Sequence, residues 1–347
     1  MAQYQKNIDI ESVVLDKLKA PNVCFLFGAG SSKAAGYPLM KELVEIAARE
    51  AQSDPTIAEA LRASSACTIE DQLDKLFGQL RSPNLSQVSE ADLRKAVDHI
   101  LNVIFAECSK SASLDAHEKF VVAVQNRMSA KKQIHTFTTN YDMLFEWAAD
   151  QARVHCINGF VGIQTRTFDP GQFEIRPARF VEPYGSGKTR AAFCPAFYLY
   201  KVHGSVSWVY DGDLIREAKV VSGAQRERGQ LMVFPTPKKY LDVSQSPYSD
   251  LFTRMSDILN RKQTVLVSLG FGFGDAHIKA LVERCLKDNT FILVVLSKDM
   301  LPTFDSFASG SNVVIVSENE TIIGGRRYSV RNDLWDFSSF ADAFAKS

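Results

Sequence analysis

The stretch Val23-Cys24-Phe25-Leu26-Phe27-Gly28-Ala29-Gly30-Ser31-Ser32 decides the fold class of this chain. Its first half is apolar without interruption, which is typical of a strand buried on both faces of a parallel sheet. Its second half is rich in glycine, which permits a tight turn and lets the backbone approach a phosphate group closely. The stretch therefore predicts a buried strand that leads into a phosphate-binding loop, formed by Gly28, Ala29, Gly30, Ser31 and Ser32.

The loop differs from the dinucleotide-binding fingerprint of dehydrogenases. Lys33 occupies the position of the third glycine, and glycine returns only at Gly36. No strand ending in an acidic residue follows about 20 positions later, where such enzymes bind the ribose. A hydride-transferring enzyme is therefore disfavoured, and a tight strand-to-helix turn without any ligand remains an alternative for this loop.

Five further apolar runs predict buried strands: Ile134–Thr138, Tyr198–Val202, Thr264–Leu269, Phe291–Leu296 and Val313–Val316. Amphipathic helical patterns follow three of the six strands, and Asp275 is suited to cap one of these helices. This alternation predicts an α/β fold with a Rossmann-like, doubly wound parallel sheet. We expect a single domain over residues 1–347, with a helical insertion at about 54–128 and a small loop and β insertion at about 158–195.

The composition bears on partners and location. The 347 residues carry 40 lysines and arginines against 40 aspartates and glutamates, so the formal net charge is zero. This balance gives no bulk attraction to nucleic acid or to an anionic membrane, and it leaves little repulsion between the copies of a homo-oligomer. The amino terminus lacks the apolar core of a signal peptide, and no apolar run approaches the roughly 18 residues that span a bilayer. We expect a cytoplasmic protein that binds neither membrane nor nucleic acid directly.

The cysteines do not form a metal-binding pattern. All six are far apart, at positions 24, 67, 108, 156, 194 and 285. A zinc ribbon needs closely spaced pairs to surround the metal with thiolates, and the histidines show no metal-like spacing either. We therefore expect no zinc ribbon and no metal site.

Polar or glycine-rich segments follow three of the predicted strands, where an open α/β sheet binds its ligands. Asn140 and Asp142 follow the second strand, and they could hold a ribose or a water molecule or simply cap the next helix. His203 follows the third strand and could accept a proton from water or from a ribose hydroxyl, although a lone histidine is more often structural. The fourth strand ends in a glycine-rich turn, which is either a wall for the ribose or adenine of a dinucleotide or a plain connection. Its candidate residues are Ser268, Gly270 and Phe271.

These pieces, in this order, resemble the sirtuin superfamily over most of the chain. The matches are Gly28-Ala29-Gly30 with Ser32, Gly36 and Pro38, Thr139-Asn140-Tyr141-Asp142, Val202-His203-Gly204 and the glycine turn after Leu269. The resemblance implies a Rossmann-like domain that binds NAD, with the loop at residues 28–32 around its phosphates. It also implies that Asn140 lies in the nicotinamide-ribose pocket, with Asp142 beside it and His203 as the general base.

The departures from protein-deacylating sirtuins resemble a divergent bacterial group that acts in antiphage defence. The four-cysteine zinc module is missing from the sequence, the first loop continues as Gly36-Tyr37-Pro38, and Ile69-Glu70-Asp71-Gln72-Leu73 lies in the helical insertion. Members of this group hydrolyse NAD+ to nicotinamide and ADP-ribose in abortive infection, often with a HerA-type ATPase or a short Argonaute as partner. The resemblance implies an NADase controlled by a separate sensor. An NAD-dependent protein deacylase and a non-catalytic module that binds NAD or ADP-ribose are the alternatives.

Overall fold

The computed structural model describes residues 8–82, 88–129, 132–182, 189–212, 214–227, 230–232 and 246–347, with the backbone alone for 230–232. Residues 83–87 of the predicted helical insertion and 183–188 of the predicted loop and β insertion lie outside this description.

Three sheets are built from strands that we number in chain order. These are β1 (Asn22–Phe27), β2 (Ile134–Thr138), β3 (Cys156–Ile157), β4 (Phe160–Val161), β5 (Arg166–Phe168), β6 (Ala178–Val181), β7 (Arg190–Phe193), β8 (Phe197–Lys201), β9 (Gly204–Asp211), β10 (Leu214–Glu217), β11 (Gln230–Met232), β12 (Thr264–Leu269), β13 (Ile292–Leu296), β14 (Val313–Val316), β15 (Thr321–Ile323) and β16 (Arg326–Tyr328). All six strands predicted from apolar runs are present, with bounds that shift by at most one residue.

The main sheet has the order β16-β15-β14-β13-β12-β1-β2-β8-β3, and its strands from β14 to β3 pair in parallel. Along the chain, the six predicted strands follow the 3-2-1-4-5-6 arrangement of doubly wound Rossmann folds. The Rossmann-like α/β prediction is therefore confirmed. The strand order reverses between β1 and β12, and this switch point is where such sheets bind ligands, beyond the carboxyl ends of the strands.

The helices that cover and extend this sheet are also numbered in chain order. They are α1 (Ile10–Lys17), α2 (Ala29–Ser32), α3 (Met40–Glu50), α4 (Pro55–Ala63), α5 (Ile69–Arg81), α6 (Glu90–Cys108), α7 (Asp115–Arg127), α8 (Leu144–Gln151), α9 (Tyr248–Leu259), α10 (Ala276–Cys285) and α11 (Phe337–Lys346). Asp275 caps α10 as predicted, because its carboxylate accepts from the N–H groups of His277 and Ile278. No helix in the described ranges combines the length and the apolar character needed to cross a bilayer.

Within the described ranges, the buried apolar side chains fall into two cores. The larger one surrounds the main sheet, where Phe25 and Phe27 of β1 meet Phe120 of α7 edge to face. The smaller one joins α3, α4, α5 and α6, and it also takes in Tyr141 and Met143 from the segment after β2. The helical core therefore packs directly against the carboxyl edge of β2. The helix α7 packs instead against α8 and α11, so the bounds of 54–128 for an insertion stay a prediction.

The region after β3 forms antiparallel strands. A five-stranded sheet has the order β11-β9-β10-β5-β4, and β6 pairs with β7 in a separate hairpin. Trp208 of β9 is buried against Phe160 and Phe168 of this region. Strand β9 of the second sheet begins directly after His203, at Gly204, whose positive φ of 91° is a conformation that favours glycine.

Candidate active site

Asn140 and His203 occupy equivalent positions beyond two neighbouring strands. The parallel strands β2 and β8 pair with Thr138 opposite Lys201, and each candidate lies two residues further on. The Val202 N–H continues the pairing by donating to the Thr138 carbonyl at 3.0 Å. Both side chains are buried, with 4% of Asn140 and 8% of His203 exposed. The register therefore places both residues at the carboxyl edge of the sheet, beyond neighbouring strands.

The Asn140 amide connects this edge to the glycine loop after β1. Its Nδ2 atom donates to the Gly28 carbonyl at 3.1 Å, to Ser31 Oγ at 3.2 Å and to Ser32 Oγ at 2.9 Å. Ser32 Oγ donates in turn to Asp142 Oδ2 at 2.7 Å. Asp142 Oδ1 accepts from the first N–H of α8 at 3.2 Å, so Asp142 rather than Asn140 helps to cap that helix. Because Nδ2 is held by the loop, the amide oxygen is the atom that Asn140 can offer to a ligand.

The loop glycines are required by a close contact between two turns. The Gly28 N–H donates to Leu269 O at 3.1 Å, and the Gly30 N–H donates to Gly270 O at 3.0 Å. A Cβ on Gly28 would lie 2.6 Å from the Gly270 oxygen, and a Cβ on Gly30 would lie 2.6 Å from the Gly270 Cα. These glycines thus bring the ends of β1 and β12 together at the switch point. The contact uses the N–H groups of Gly28 and Gly30, so a phosphate would have to be held by other donors of the loop.

The His203 ring lies between two carboxylates. Its Nε2 atom is 3.0 Å from Asp275 Oδ2, in the turn between β12 and α10. Its Nδ1 atom is 4.0 Å from Glu70 Oε1, which α5 supplies from the helical core. The Tyr141 hydroxyl donates to the same Glu70 oxygen at 3.0 Å. Burial is the larger cause and the negative charge of Glu70 the second of a pKa of Tyr141 that is raised well above its ordinary value. The phenol therefore stays protonated and can donate.

A buried lysine supports the segment that carries Asn140. Lys201 is 2% exposed, and its ammonium group donates to the carbonyls of Tyr141 and Asp142. It also forms an ion pair with Glu146 Oε1 of α8 at 3.1 Å. Burial raises the pKa of Glu146, and the charge of Lys201 acts in the opposite direction. The lysine thus holds the backbone directly after Asn140, in the middle and at the end of the Asn140–Asp142 turn.

Two buried polar atoms near this edge have no hydrogen-bond partner within the described part of the chain. They are the Ser268 hydroxyl and the His203 Nδ1 atom. Ser268 is fully buried in β12, two residues before Gly270, and pairs in register with Leu26 of β1. Such unsatisfied groups are costly unless a ligand or water binds them. Their position on both sides of the switch point fits a polar ligand that extends along the carboxyl edge.

The structure brings most of the predicted site residues together. Gly28, Ser31, Ser32, Asn140 and Asp142 share one hydrogen-bond network, Ala29 begins the four-residue helix α2, and Gly270 and Phe271 pack on the loop. His203 contacts Asp275 and Glu70 rather than this network.

Sequence reasoning missed Glu70 and Lys201 as parts of the site. For Lys201, the one available sequence signal was a lysine inside an otherwise apolar strand. No such signal pointed to Glu70. Among the described residues, no group of three or more His, Cys, Asp or Glu side chains could hold a metal ion.

Known structures that are similar to this chain share little sequence with it. The chain has 13% identity and a TM-score of 0.45 with a Sir2 homolog–NAD complex, over 99% of this chain and 95% of the other. A Sir2 homologue in complex with 2'-O-acetyl ADP ribose has 14% identity and a TM-score of 0.44, over 97% and 95%. No curated protein matches the chain. The family model for the SIR2-like domain matches residues 134–313, just over half of the chain. On this match, the chain belongs to the SIR2-like domain family.

Proposed function

We propose that this protein hydrolyses NAD+ to nicotinamide and ADP-ribose, with Asn140 and His203 at the reacting sugar. The observation that carries the proposal is the register of β2 and β8, which sets both side chains at one edge of the sheet. Membership of the SIR2-like domain family supports an NAD-related activity. The glycine loop and the unsatisfied Ser268 hydroxyl lie at the adjacent switch point, where a dinucleotide would bind.

For NAD+ hydrolysis, the protein needs to orient the ribose or the water molecule and to supply a base that accepts one proton. The bond between ribose and nicotinamide breaks with its electron pair going to the pyridine ring, which loses its positive charge as it departs. A water oxygen forms the new bond to the anomeric carbon, and one proton must be removed. The amide oxygen of Asn140 orients the ribose or the water, and His203 accepts the proton. General-base assistance of this kind typically contributes about 10²–10⁴-fold to the rate.

The binding roles follow from the positions of the remaining candidates. Ser268 would donate its free hydroxyl hydrogen to the dinucleotide, and Gly270 and Phe271 would form the wall beside it. Asp142 holds Ser32 and so keeps the loop in place next to Asn140. The loop at residues 28–32 would hold phosphate oxygens through donors other than the Gly28 and Gly30 N–H groups.

We further propose that the reaction serves antiphage defence by abortive infection in the bacterial cytoplasm. This proposal is supported by two stretches that resemble the divergent bacterial NADases of antiphage defence. They are Gly36-Tyr37-Pro38, which continues the first loop, and Ile69–Leu73. A HerA-type ATPase or a short Argonaute would then act as the sensor partner, and the zero net charge is compatible with a homo-oligomer.

The direct test is to incubate the purified chain with NAD+ and to quantify nicotinamide and ADP-ribose. We expect both products in equal amounts without any acyl-peptide, and His203→Ala and Asn140→Ala should form neither. His155→Ala is the matched control, because His155 is exposed and lies outside the site. Nicotinamide release only in proportion to an acylated peptide would indicate a deacylase instead. Tight binding of NAD+ that stays intact would indicate a binding module.

A further inference from the structure

The contact between His203 and Asp275 joins distant parts of the main sheet. His203 follows β8 and Asp275 follows β12, and the strands β1 and β2 lie between these two in the sheet. Three strand spacings amount to about 14 Å, yet Asp275 Oδ2 lies 3.0 Å from the Nε2 atom of His203. Capping α10 does not require this contact, because Asp275 Oδ1 alone accepts from His277 and Ile278 at 2.8 and 3.0 Å. The second carboxylate oxygen therefore has a separate role at His203.

The hydrogen-bond pattern of Asp275 defines which nitrogen of His203 carries a hydrogen. Two backbone N–H groups donate to Oδ1 of this carboxylate, which favours its ionised form. An ionised carboxylate can only accept, so the His203 Nε2 atom must donate to Oδ2. The neutral ring then has its lone pair on Nδ1, the atom without a hydrogen-bond partner among the described residues.

The helical core supplies a second carboxylate on the side of that lone pair. Glu70 Oε1 lies 4.0 Å from His203 Nδ1, which is too long for a hydrogen bond but close enough to stabilise a positive charge on the ring. The Tyr141 hydroxyl holds this oxygen in place at 3.0 Å. The titratable side chains recorded around the imidazole are thus Glu70 on α5, Asp275 before α10 and, behind Glu70, Tyr141.

We propose that Asp275 and Glu70 are positioning residues for His203, with Nδ1 as the atom that accepts the proton. Asp275 holds the ring in the tautomer with hydrogen on Nε2, and Glu70 stabilises the imidazolium that forms when Nδ1 takes a proton from water or a ribose hydroxyl. The helical core thereby completes the site rather than merely flanking it. This assignment rests on the proposed hydrolysis only for the identity of the proton donor.

The first test measures the tautomer of the His203 imidazole directly and does not depend on NAD+ turnover. The full chain is labelled with ¹⁵N-histidine, and the His203 resonances are assigned with His203→Gln. We expect the Nε2–H tautomer in the neutral form of the wild-type ring, and we expect Asp275→Asn to shift the tautomer population towards Nδ1–H. Asn is as good an N-cap as Asp, so α10 is retained in this variant. A wild-type neutral ring with its hydrogen on Nδ1, or a tautomer population that Asp275→Asn leaves unchanged, would overturn the assignment.

The second test uses NAD+ turnover. We expect Asp275→Asn to lower kcat on the order of 100-fold and Glu70→Gln about tenfold, with little change in KM. Asp336→Asn is the matched control, because Asp336 caps α11 in the same way and should leave kcat unchanged. If wild type turns over and Asp275→Asn matches it while His203→Ala is inactive, the positioning role is wrong and the proposed function stands. If wild type cleaves no NAD+, alone or with its sensor partner, the proposed function fails, and the tautomer measurement still decides the positioning role.

Discussion

The ammonium group of Lys201 lies 3.1 Å from the carboxylate of Glu146, and both side chains are buried beneath the strand-end residues. The contact is an ion pair rather than a directed hydrogen bond, since the lysine donates instead to the carbonyls of Tyr141 and Asp142. One buried charge pair thus links α8 to the turn that carries Asn140. Stability and catalysis should depend on it in different ways.

Replacing Lys201 with Met should lower the free energy of unfolding by about 3–5 kcal/mol, because Glu146 would be left buried without its counter-charge. The double variant Lys201→Met, Glu146→Leu should recover most of this loss, since no charge would remain buried. It should not recover NAD+ hydrolysis, because the Tyr141 and Asp142 carbonyls would still lack their donor. Urea unfolding and the NAD+ assay on the three proteins measure both effects. A double variant with full activity would show that the lysine only balances charge.

Gly30→Ala should be strongly destabilising. The added Cβ would lie 2.6 Å from the Gly270 Cα, and backbone on both sides would have to move. We expect a loss of about 1–3 kcal/mol and a loop displaced from Asn140, so activity should fall as well. Gly78→Ala is the matched control, because a Cβ there meets nothing within 4 Å and the site is helical. That change should stabilise the protein by roughly 0.5–1 kcal/mol. Equal effects of the two substitutions on thermal unfolding would argue against the close contact.

Ser268→Ala should weaken NAD+ binding without lowering the free energy of unfolding. The hydroxyl is buried without a partner among the described residues, so its removal should leave the free energy of unfolding unchanged or raise it by up to about 1 kcal/mol. Loss of its hydrogen bond to the dinucleotide should weaken NAD+ binding by roughly five- to tenfold. Calorimetry with the inactive His203→Ala background measures the binding change. Unchanged affinity together with lower stability would mean that Ser268 is a structural residue only.

His117 should make the protein sensitive to acid. Its ring packs against Phe145 and Phe337, and neither ring nitrogen has a hydrogen-bond partner within the described residues. Burial lowers the pKa of His117 to about 4, from 6.5. Between these values the unfolded chain binds more protons than the folded one, so stability falls as the pH drops below 6.5.

His117→Phe should remove this part of the acid sensitivity. The expected gain relative to wild type is about 2 kcal/mol at pH 5, from roughly 1.4 kcal/mol per pH unit below 6.5. Unfolding free energies at pH 7 and pH 5 give the comparison, with exposed His155→Gln as the control. An unchanged difference between the two pH values would contradict a neutral, buried His117.

Local sequence signals were enough for the framework of the fold. Continuous apolar runs and glycine turns gave the six core strands, and the short side chain of Asp275 gave the cap of α10. The closing helix α11 was missed, although Phe337, Phe340 and Phe344 have helical spacing. Pairings across the site could not be predicted in the same way. The approach of Glu70 to His203 depends on how the helical core packs against β2, and no local pattern encodes that contact.

The roles of Asn140 and His203 stay predictions until turnover is measured. The most direct measurement is the time course of NAD+, nicotinamide and ADP-ribose with the wild-type chain, His203→Ala and His155→Ala, without any peptide substrate. We expect wild type and His155→Ala to convert NAD+ into equal amounts of the two products, while His203→Ala leaves it intact. Equal hydrolysis by His203→Ala, with its fold verified by circular dichroism, would contradict a reaction at the ends of β2 and β8.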